Sequence, residues 1–495
     1  MRRAAILLLS AVLMPACLAH YTYPDLVRPL AAPAAGTVFH DVRVFAATST
    51  STLEHQDVLV RDGRIVSITP SGTPSGTPSG TPSGTPSGTP SGTTSSAPLP
   101  QGAQVIEGSG KTLMPGLIDF HGHLTGTAAP PWKLTWPDPD HTGRAYLYCG
   151  VTTVYDVAGD LDELVTLRKR EAAGEWLGPR FTYSGQMVTI KGGYPASMVR
   201  DLFWWPLSAI ASGHFASEVS DAADAEREVA LRQKAGAHHV KVAVAQIPLG
   251  SPVFDEPLLR SVVTAAHARG MKVVAHIDTQ EHALLAARAG VDVLVHLVQL
   301  GPLSPETAKE LAERHVSVAL TLVAFDRMER IDELRYEPTA IEREMNPPEV
   351  LEPWSAENVR QNKVSKGMQE WVKALEASHA LRLQNVRNLM DAGVNIVAGS
   401  DGEGSAATWA GGALLEELLL MVKAGIPPAE VLLGATSRAA RLIEAEPDFG
   451  TIEAGKRADL LLVKGDPRED ADVAARIELV MQGGRVLDRK ALAGH

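Results

Sequence analysis

Residues Pro115-Gly116-Leu117-Ile118-Asp119-Phe120-His121-Gly122-His123-Leu124 decide how this sequence is read. An apolar run leads into a His-x-His pair, and side chains two apart on a β-strand share a face. One strand can therefore aim His121 and His123 at the same point, with Asp119 one layer beneath them. Two imidazoles within one pleat form a ready chelate. A lone His-x-His is weak evidence, so its weight depends on what neighbouring strands deliver.

Seven further apolar runs have the length and composition of strands: 152–157, 180–184, 239–244, 272–276, 292–297, 316–322 and 395–400. They alternate with stretches of helical periodicity at 221–235, 256–269, 280–289, 305–315 and 381–392. Further helices are expected at 412–425 and 436–443, with Glu417 making structural contacts there. That alternation predicts a parallel sheet. With 116–124 the strands number eight, and no Gly-x-Gly-x-x-Gly turn is present, which favours an α/β fold of the closed (β/α)8 TIM-barrel type over a doubly wound sheet. Active sites of such barrels lie at the C-terminal ends of the strands. There the sequence places Lys241, His276, His296 and Asp401, besides His121 and His123. His238, His239, His267 and His282 are expected elsewhere, because neighbours on a strand alternate faces and the last two fall on helices. The charged segment 326–380, after the seventh strand, sits where a lid would.

Both ends of the chain are rich in short strands: 38–45, 57–66 and 104–108 at one end, 458–463 and 477–481 at the other. Between 57–66 and 104–108, Thr-Pro-Ser-Gly repeats six times from Thr69 to Gly92. Nothing apolar is present to bury there, so residues 69–96 are expected to form a disordered, solvated loop.

These segments resemble the amidohydrolase superfamily, nearest its imidazolonepropionase-like and Xaa-Pro dipeptidase-like branches. The resemblance rests on 115–124, Gly150-Val151-Thr152-Thr153, 236–241, Val274-Ala275-His276, Val295-His296, Gly399-Ser400-Asp401, 434–442 and 450–466. It implies a metal-dependent hydrolase barrel over 115–447 and a small β-sandwich built from 38–114 and 448–491. It further implies two divalent ions, most often Zn²⁺: His121 and His123 on one, His276 and His296 on the other, and a carboxylated Lys241 bridging them. Asp401 would be both ligand and proton shuttle, and Asp119 a partner that orients an imidazole. An unmodified lysine ammonium would repel cations, so Lys241 suits that place only as its carbamate. The sequence departs from the dipeptidase-like pattern on the substrate side: Lys191-Gly192-Gly193-Tyr194 stands where a histidine follows the glycines, and Tyr155 where arginine is frequent. Tyr194 and Tyr155 are accordingly the candidate substrate contacts, and Phe203-Trp204-Trp205 a candidate apolar lining.

The expected reaction is hydrolysis of a carbon–nitrogen bond, in a linear or cyclic amide or a dipeptide-like substrate. Hydrolysis of an ester, lactone or phosphotriester at the same metal pair is the alternative, and a catalytically silent exported binding protein a further one. Nucleobase deamination fits less well, because Thr279 occupies the place where such enzymes carry a glutamate. A net charge of −12 and the lack of a basic run argue against nucleic acid as a partner. The small-molecule substrate is then the main partner, beside a homo-oligomer.

At the N-terminus, Arg2 and Arg3 precede an apolar run from Ala4 to Leu13 and a small-residue cleavage region, the order of a signal peptide over 1–19. Export to the periplasm, the outer surface or the medium follows. Leu13-Met14-Pro15-Ala16-Cys17 also resembles a lipobox, which would make Cys17 a lipid anchor and the chain a lipoprotein. Cys17 and Cys149 are the two cysteines, which excludes a disulfide scaffold or a cysteine-rich metal site.

Overall fold

The computed structural model describes residues 32–71 and 100–493, apart from 131, 134, 203, 204, 206, 363, 364, 405 and 406. The expected signal peptide, Cys17, Phe203, Trp204 and the repeat beyond Ser71 lie outside the described residues.

Both chain ends meet in one sheet. Its strands are β1 (Thr37–Val44), β2 (Leu53–Arg61), β3 (Arg64–Pro70), β4 (Gln104–Glu107) and β5 (Lys111–Pro115) from the front. From the back come β16 (Leu460–Lys464), β17 (Ile477–Gln482) and β18 (Arg485–Leu487), in the order β18-β17-β16-β5-β1-β2-β3 with β4 on β1. Alternation sends Phe39, Val58, Val60, Leu113, Leu460 and Leu462 into a core of its own. One boundary differs from expectation. Thr69 and Pro70 pair with Asp57 and Gln56 as the end of β3, so the first two residues assigned to the loop are strand. Proline is compatible there because β3 is an edge strand and Pro70 its last residue.

The middle of the chain forms two parallel sheets. β6 (Leu117–Gly122), β7 (Val151–Asp156) and β8 (Arg180–Tyr183) make the first. The second holds β9 (Met187–Ile190), β10 (Ala216–Val219), β11 (His239–Val244), β12 (Lys272–Ile277), β13 (Val293–Val295), β14 (Ser317–Ala319) and β15 (Ile396–Val397), in the order β10-β9-β11-β12-β13-β14-β15. All eight runs expected as barrel strands are strands. β9 and β10 are additional, each only four residues long.

Backbone bonds join the two sheets at both seams. Phe120 N–H donates to Ala398 O at 3.0 Å, Asp401 N–H to His121 O at 2.7 Å, and His238 N–H to Tyr183 O at 2.9 Å. Ile118, Phe120, Tyr155, Val274, Val293, Val295, Ala319 and Val397, from six different strands, share one buried cluster between the sheets. A larger apolar layer packs helices against their outer faces. Those helices start on side-chain caps, as at Asp221, Asp255, Thr279 and Ser304, each of which accepts a backbone N–H of the first turn. The seventh strand is shorter than expected. Thr321 takes a left-handed φ of +51°, and the helix Leu322–Asp332 begins directly after it. From there to Ala377 the expected charged excursion is mostly helical.

Candidate metal centre

The ends of β6, β12, β13 and β15 bring four imidazoles and a carboxylate together. The rings of His121 and His296 lie 4.7 Å apart, those of His276 and His296 4.2 Å, and those of His121 and His123 5.3 Å. Asp401 joins the first strand to the last: its Oδ1 is 3.1 Å from His121 Nε2 and 3.0 Å from His123 Nε2. Donor atoms of His121, His296 and Asp401 all lie within 4.8 Å of one another. The backbone is bent to achieve this. His296 and Asp401 take left-handed φ values of +76° and +57°, turning each side chain off the line of its strand.

Burial sets the protonation of the cluster. It pushes His121 and His276 down to about 3, with the Lys241 charge adding to the effect. Burial and the neighbouring imidazoles likewise hold His296 well below its usual value. These rings are neutral and offer lone pairs. His123 is the exception, because Asp401 more than offsets its desolvation and raises it. Burial works to raise Asp401 too, but His121 and His123 hold it well below the carboxylate range. Lys241 is 1% exposed, and burial pushes its amine down to about 7 against the pull of Asp401 and Asp156. On the strand pairing, Lys241 lies opposite Val274, one inward-facing position below the rung that pairs Ala243 with His276.

The donor set suits a divalent cation. His123 Nδ1 donates to Ala158 O at 2.7 Å, so the neutral ring turns a bare Nε2 toward the Asp401 carboxylate. Two lone pairs facing each other need a proton or a cation between them. His121 Nδ1 and His276 Nε2 are buried without a hydrogen-bond partner. A Cβ added at Gly404 would fall 2.3 Å from His123 Nε2 and 2.8 Å from Asp401 Oδ1, so glycine keeps this space clear. Imidazole nitrogen with carboxylate oxygen is the ligand chemistry of zinc.

The other expected residues sit as follows. Tyr194 lies over the His276 ring at 4.8 Å, among Ile247, Phe325 and Trp371. Tyr155 does not reach the centre. Its ring is sandwiched between Phe120 at 4.4 Å and His239 at 3.7 Å, 3% exposed, in the apolar filling below the site. As a substrate contact it is corrected, because inward positions of adjacent strands stack before they reach the rim. His239 lies outside the cluster as expected, but for another reason: two residues before Lys241 it shares that strand's inner face and is packed on Tyr155. Asp119 orients no imidazole. It accepts the backbone N–H of His121 at 3.1 Å and of Ser400 at 3.0 Å, together with the Ser400 hydroxyl, and so fastens the first strand to the last. The partner of His296 is Thr321, whose hydroxyl is 2.6 Å from Nδ1. His282 pairs with Asp278 and His267 with Asp292, and neither is among the grouped donor residues. Trp205 is 77% exposed.

Sequence reasoning missed three buried groups. Asp156 accepts the Leu124 N–H at 2.7 Å and is pushed up to about 7 by burial. Arg327 lies fully buried inside the excursion. Glu403, two residues after Asp401, accepts two backbone N–H groups from separate segments. An acidic residue ending a barrel strand was a visible signal for Asp156; the others carry none, since their partners are distant in sequence.

The sequence pattern of the amidohydrolase family matches residues 112–487. The chain belongs to that family. As an amidohydrolase it is a metal-dependent hydrolase. A solved Xaa-Pro dipeptidase with bound methionine in its active site is 21% identical, with a TM-score of 0.69 over 91% of this chain and 99% of that one. A prolidase complexed with N-methylphosphonate-L-proline is 24% identical, with a TM-score of 0.66 over 92% and 99%. Molinate hydrolase gives 17% identity and a TM-score of 0.66 over 92% and 95%. At these identities the likeness is one of fold. Among curated proteins, a 5-methylthioadenosine/S-adenosylhomocysteine deaminase of Moorella thermoacetica is 37% identical over 84 residues, which cover 16% of this chain and only 20% of that protein.

Proposed function

We propose that this amidohydrolase is an exported enzyme that hydrolyses an amide-type C–N bond, in a dipeptide-like or cyclic substrate, at a pair of zinc ions at the mouth of a closed (β/α)8 barrel. His121 and His123 would hold one ion and His276 and His296 the other, with Asp401 as a further ligand and Lys241 bridging as its carbamate. The convergence of His121, His296 and Asp401 donor atoms within 4.8 Å carries this reading. Bound there, divalent cations polarise a carbonyl and bring the pKa of water toward neutrality. Asp401 does the proton work: its Oδ1 accepts a proton from the attacking water and returns it to the leaving nitrogen, which requires hydrogen-bond reach. Lys241 contributes only as an anion. Tyr194 and Phe325 flank the rings of His276 and His296, which favours a substrate with an apolar group beside the scissile bond. The dipeptidase and prolidase among the structural relatives support a dipeptide-like substrate. The apolar run after Arg2 and Arg3 supports export.

Metal content and a hydrolysis panel of dipeptides, N-acyl amino acids, cyclic amides and lactones test the proposal. About two zinc per chain and turnover of an amide are expected. Turnover confined to lactones would overturn the C–N assignment, and purification without any divalent metal the zinc assignment. Fractionation of the source cells checks export, with mass analysis of the mature N-terminus reading cleavage and a lipid on Cys17.

A further inference from the structure

The loop that follows β15 is held from two sides by buried side chains that the mechanism does not use. Glu403 Oε2 accepts the N–H of Ala128 at 2.8 Å, and its Oε1 accepts the N–H of Ala410 at 2.9 Å. Ala128 lies in the segment that follows His123, so one carboxyl group ties the backbone behind His123 to the backbone behind Asp401. Within the loop, Glu403 N–H donates to Thr408 O at 2.7 Å, and the Thr408 hydroxyl donates to Asp401 O at 2.7 Å.

The excursion grips the same backbone from outside. Trp354 Nε1 donates to Ala128 O at 2.7 Å, so the N–H and the carbonyl of one residue are both taken, by Glu403 and by Trp354. Arg327 donates to Ala407 O and pairs with Glu342 at 2.6 Å and Glu416 at 2.5 Å. Trp409 Nε1 donates to the Tyr336 hydroxyl at 2.7 Å. Three non-glycine residues of this loop, Asp401, Glu403 and Ala407, have φ between +54° and +60°. Left-handed backbone at such residues is disfavoured and persists where surrounding contacts enforce it. Here the enforcing contacts are identified.

We propose that Glu403 is a positioning residue for the metal centre: by holding the Ala128 and Ala410 N–H groups it keeps the Asp401 backbone left-handed and its carboxylate between His121 and His123. Trp354 shares that hold through the Ala128 carbonyl, so the excursion acts as a clasp on the ligand loops. This rests on the metal-centre reading above. Partners that orient metal ligands typically contribute 10- to 100-fold to metal affinity.

The test is Zn²⁺ affinity by chelator competition and the visible spectrum of the Co²⁺-substituted protein, for Glu403→Gln, Trp354→Phe and both together, beside the melting of each metal-free protein. Glu403→Gln is expected to weaken Zn²⁺ binding about 10- to 100-fold and to change the Co²⁺ bands. Trp354→Phe keeps an aromatic six-membered ring and deletes the Nε1 donor together with the five-membered half of the indole; beyond any change in the melting of the metal-free protein, it should weaken binding in the same sense by a smaller factor. The double variant should lose less than the product of the two, because both act through the backbone of one residue, Ala128. Wild-type affinity and Co²⁺ bands in either folded variant would overturn the proposal, as would loss of metal only in proportion to unfolded protein. Failure of the parent protein to bind a divalent ion sinks the metal-centre reading instead. Amide exchange in the metal-free protein then decides the hold itself: Glu403→Gln should speed exchange at Asp401 and Gly404 about tenfold or more, and unchanged exchange there refutes it.

Discussion

The sheet made from the chain ends and the rim of the parallel sheets treat charge in opposite ways. In the terminal sheet, ionic side chains stand in pairs outside the apolar core, such as Arg43 with Glu54 and Lys111 with Glu478, while the interior is Phe39, Val58, Val60 and Leu462. At the rim, His121, His123, Lys241, His276, His296 and Asp401 are all buried, and His121 and His276 each leave a ring nitrogen without a hydrogen-bond partner. Burying polar groups without partners costs free energy. A fold keeps such an arrangement where another species completes it, and it relies on an apolar sheet elsewhere for stability. The contrast separates residues whose burial stabilises the sheet from residues assembled at a cost into a candidate site.

Asp401→Asn should break the contrast most strongly on the reacting side. A carboxylate placed between two imidazoles is lost while the shape is kept, and turnover should fall by about 10²- to 10⁴-fold with little change in melting temperature. Steady-state kinetics on an identified substrate checks it, and full activity in the variant would remove Asp401 from the chemistry. The counterpart on the supporting side is Phe39→Ala. Phe39 is fully buried in the terminal sheet's own core, and its truncation should cost about 3–5 kcal/mol of stability in chemical denaturation. Activity per folded molecule should stay the same, and a specific loss of kcat would show that the two regions are not separate.

Much of this division was legible in the sequence. Eight apolar runs of strand length, each bounded by turns, located eight strands of the two parallel sheets, and ligand-type residues at their C-terminal ends located the cluster around His121, His296 and Asp401. Features set by partners distant in sequence were not legible. The polar Ser217-Glu218 pair within β10 carries too little apolar pattern to announce a strand. Tyr155 and Asp119 stand on the right strands, yet whether such a residue reaches the rim, stacks below it or binds a neighbouring strand depends on the stagger between strands. Arg327 belongs to a segment whose charge density suggests a solvated face. It is buried because Glu342, Glu416 and the Ala407 carbonyl come together around it.

A smaller effect sharpens the comparison on the side of the parallel sheets. Glu417 is fully buried, accepts the Val323 N–H at 2.7 Å, and is pushed up to about 8 by burial. An unfolded glutamate ionises near 4.5, so between that pH and about 8 the unfolded state releases a proton that the folded state retains. Glu417 therefore lowers stability as pH rises through this window, after which its contribution levels off. Glu417→Gln should remove that slope and stabilise the protein at pH 8 by about 1 kcal/mol or more. Denaturation across pH 5 to about 9 reads it directly; parallel curves for variant and parent would show that Glu417 ionises normally in the fold.

The smallest effect is expected from the largest deletion. β3 ends at Pro70, and Ser71 still pairs with β2 by donating its N–H to His55 O at 2.8 Å and its hydroxyl to Asp57, so the cut has to begin after Gly72. Removing Thr73 to Gly92 takes out five Thr-Pro-Ser-Gly units and leaves Gly72 joined to Thr93. Polar repeats of this kind bury nothing, and roughly halving or doubling such a connection changes its closure entropy by only about 0.6 kcal/mol. The connection also leaves from the terminal sheet, whose core is separate from the rim. Melting should therefore shift by no more than a few degrees, and kcat and KM should stay within about twofold of the parent. A tenfold fall in kcat/KM with melting unchanged would mean that the repeat acts on the site, and the separation between supporting sheet and reacting rim would have to be abandoned.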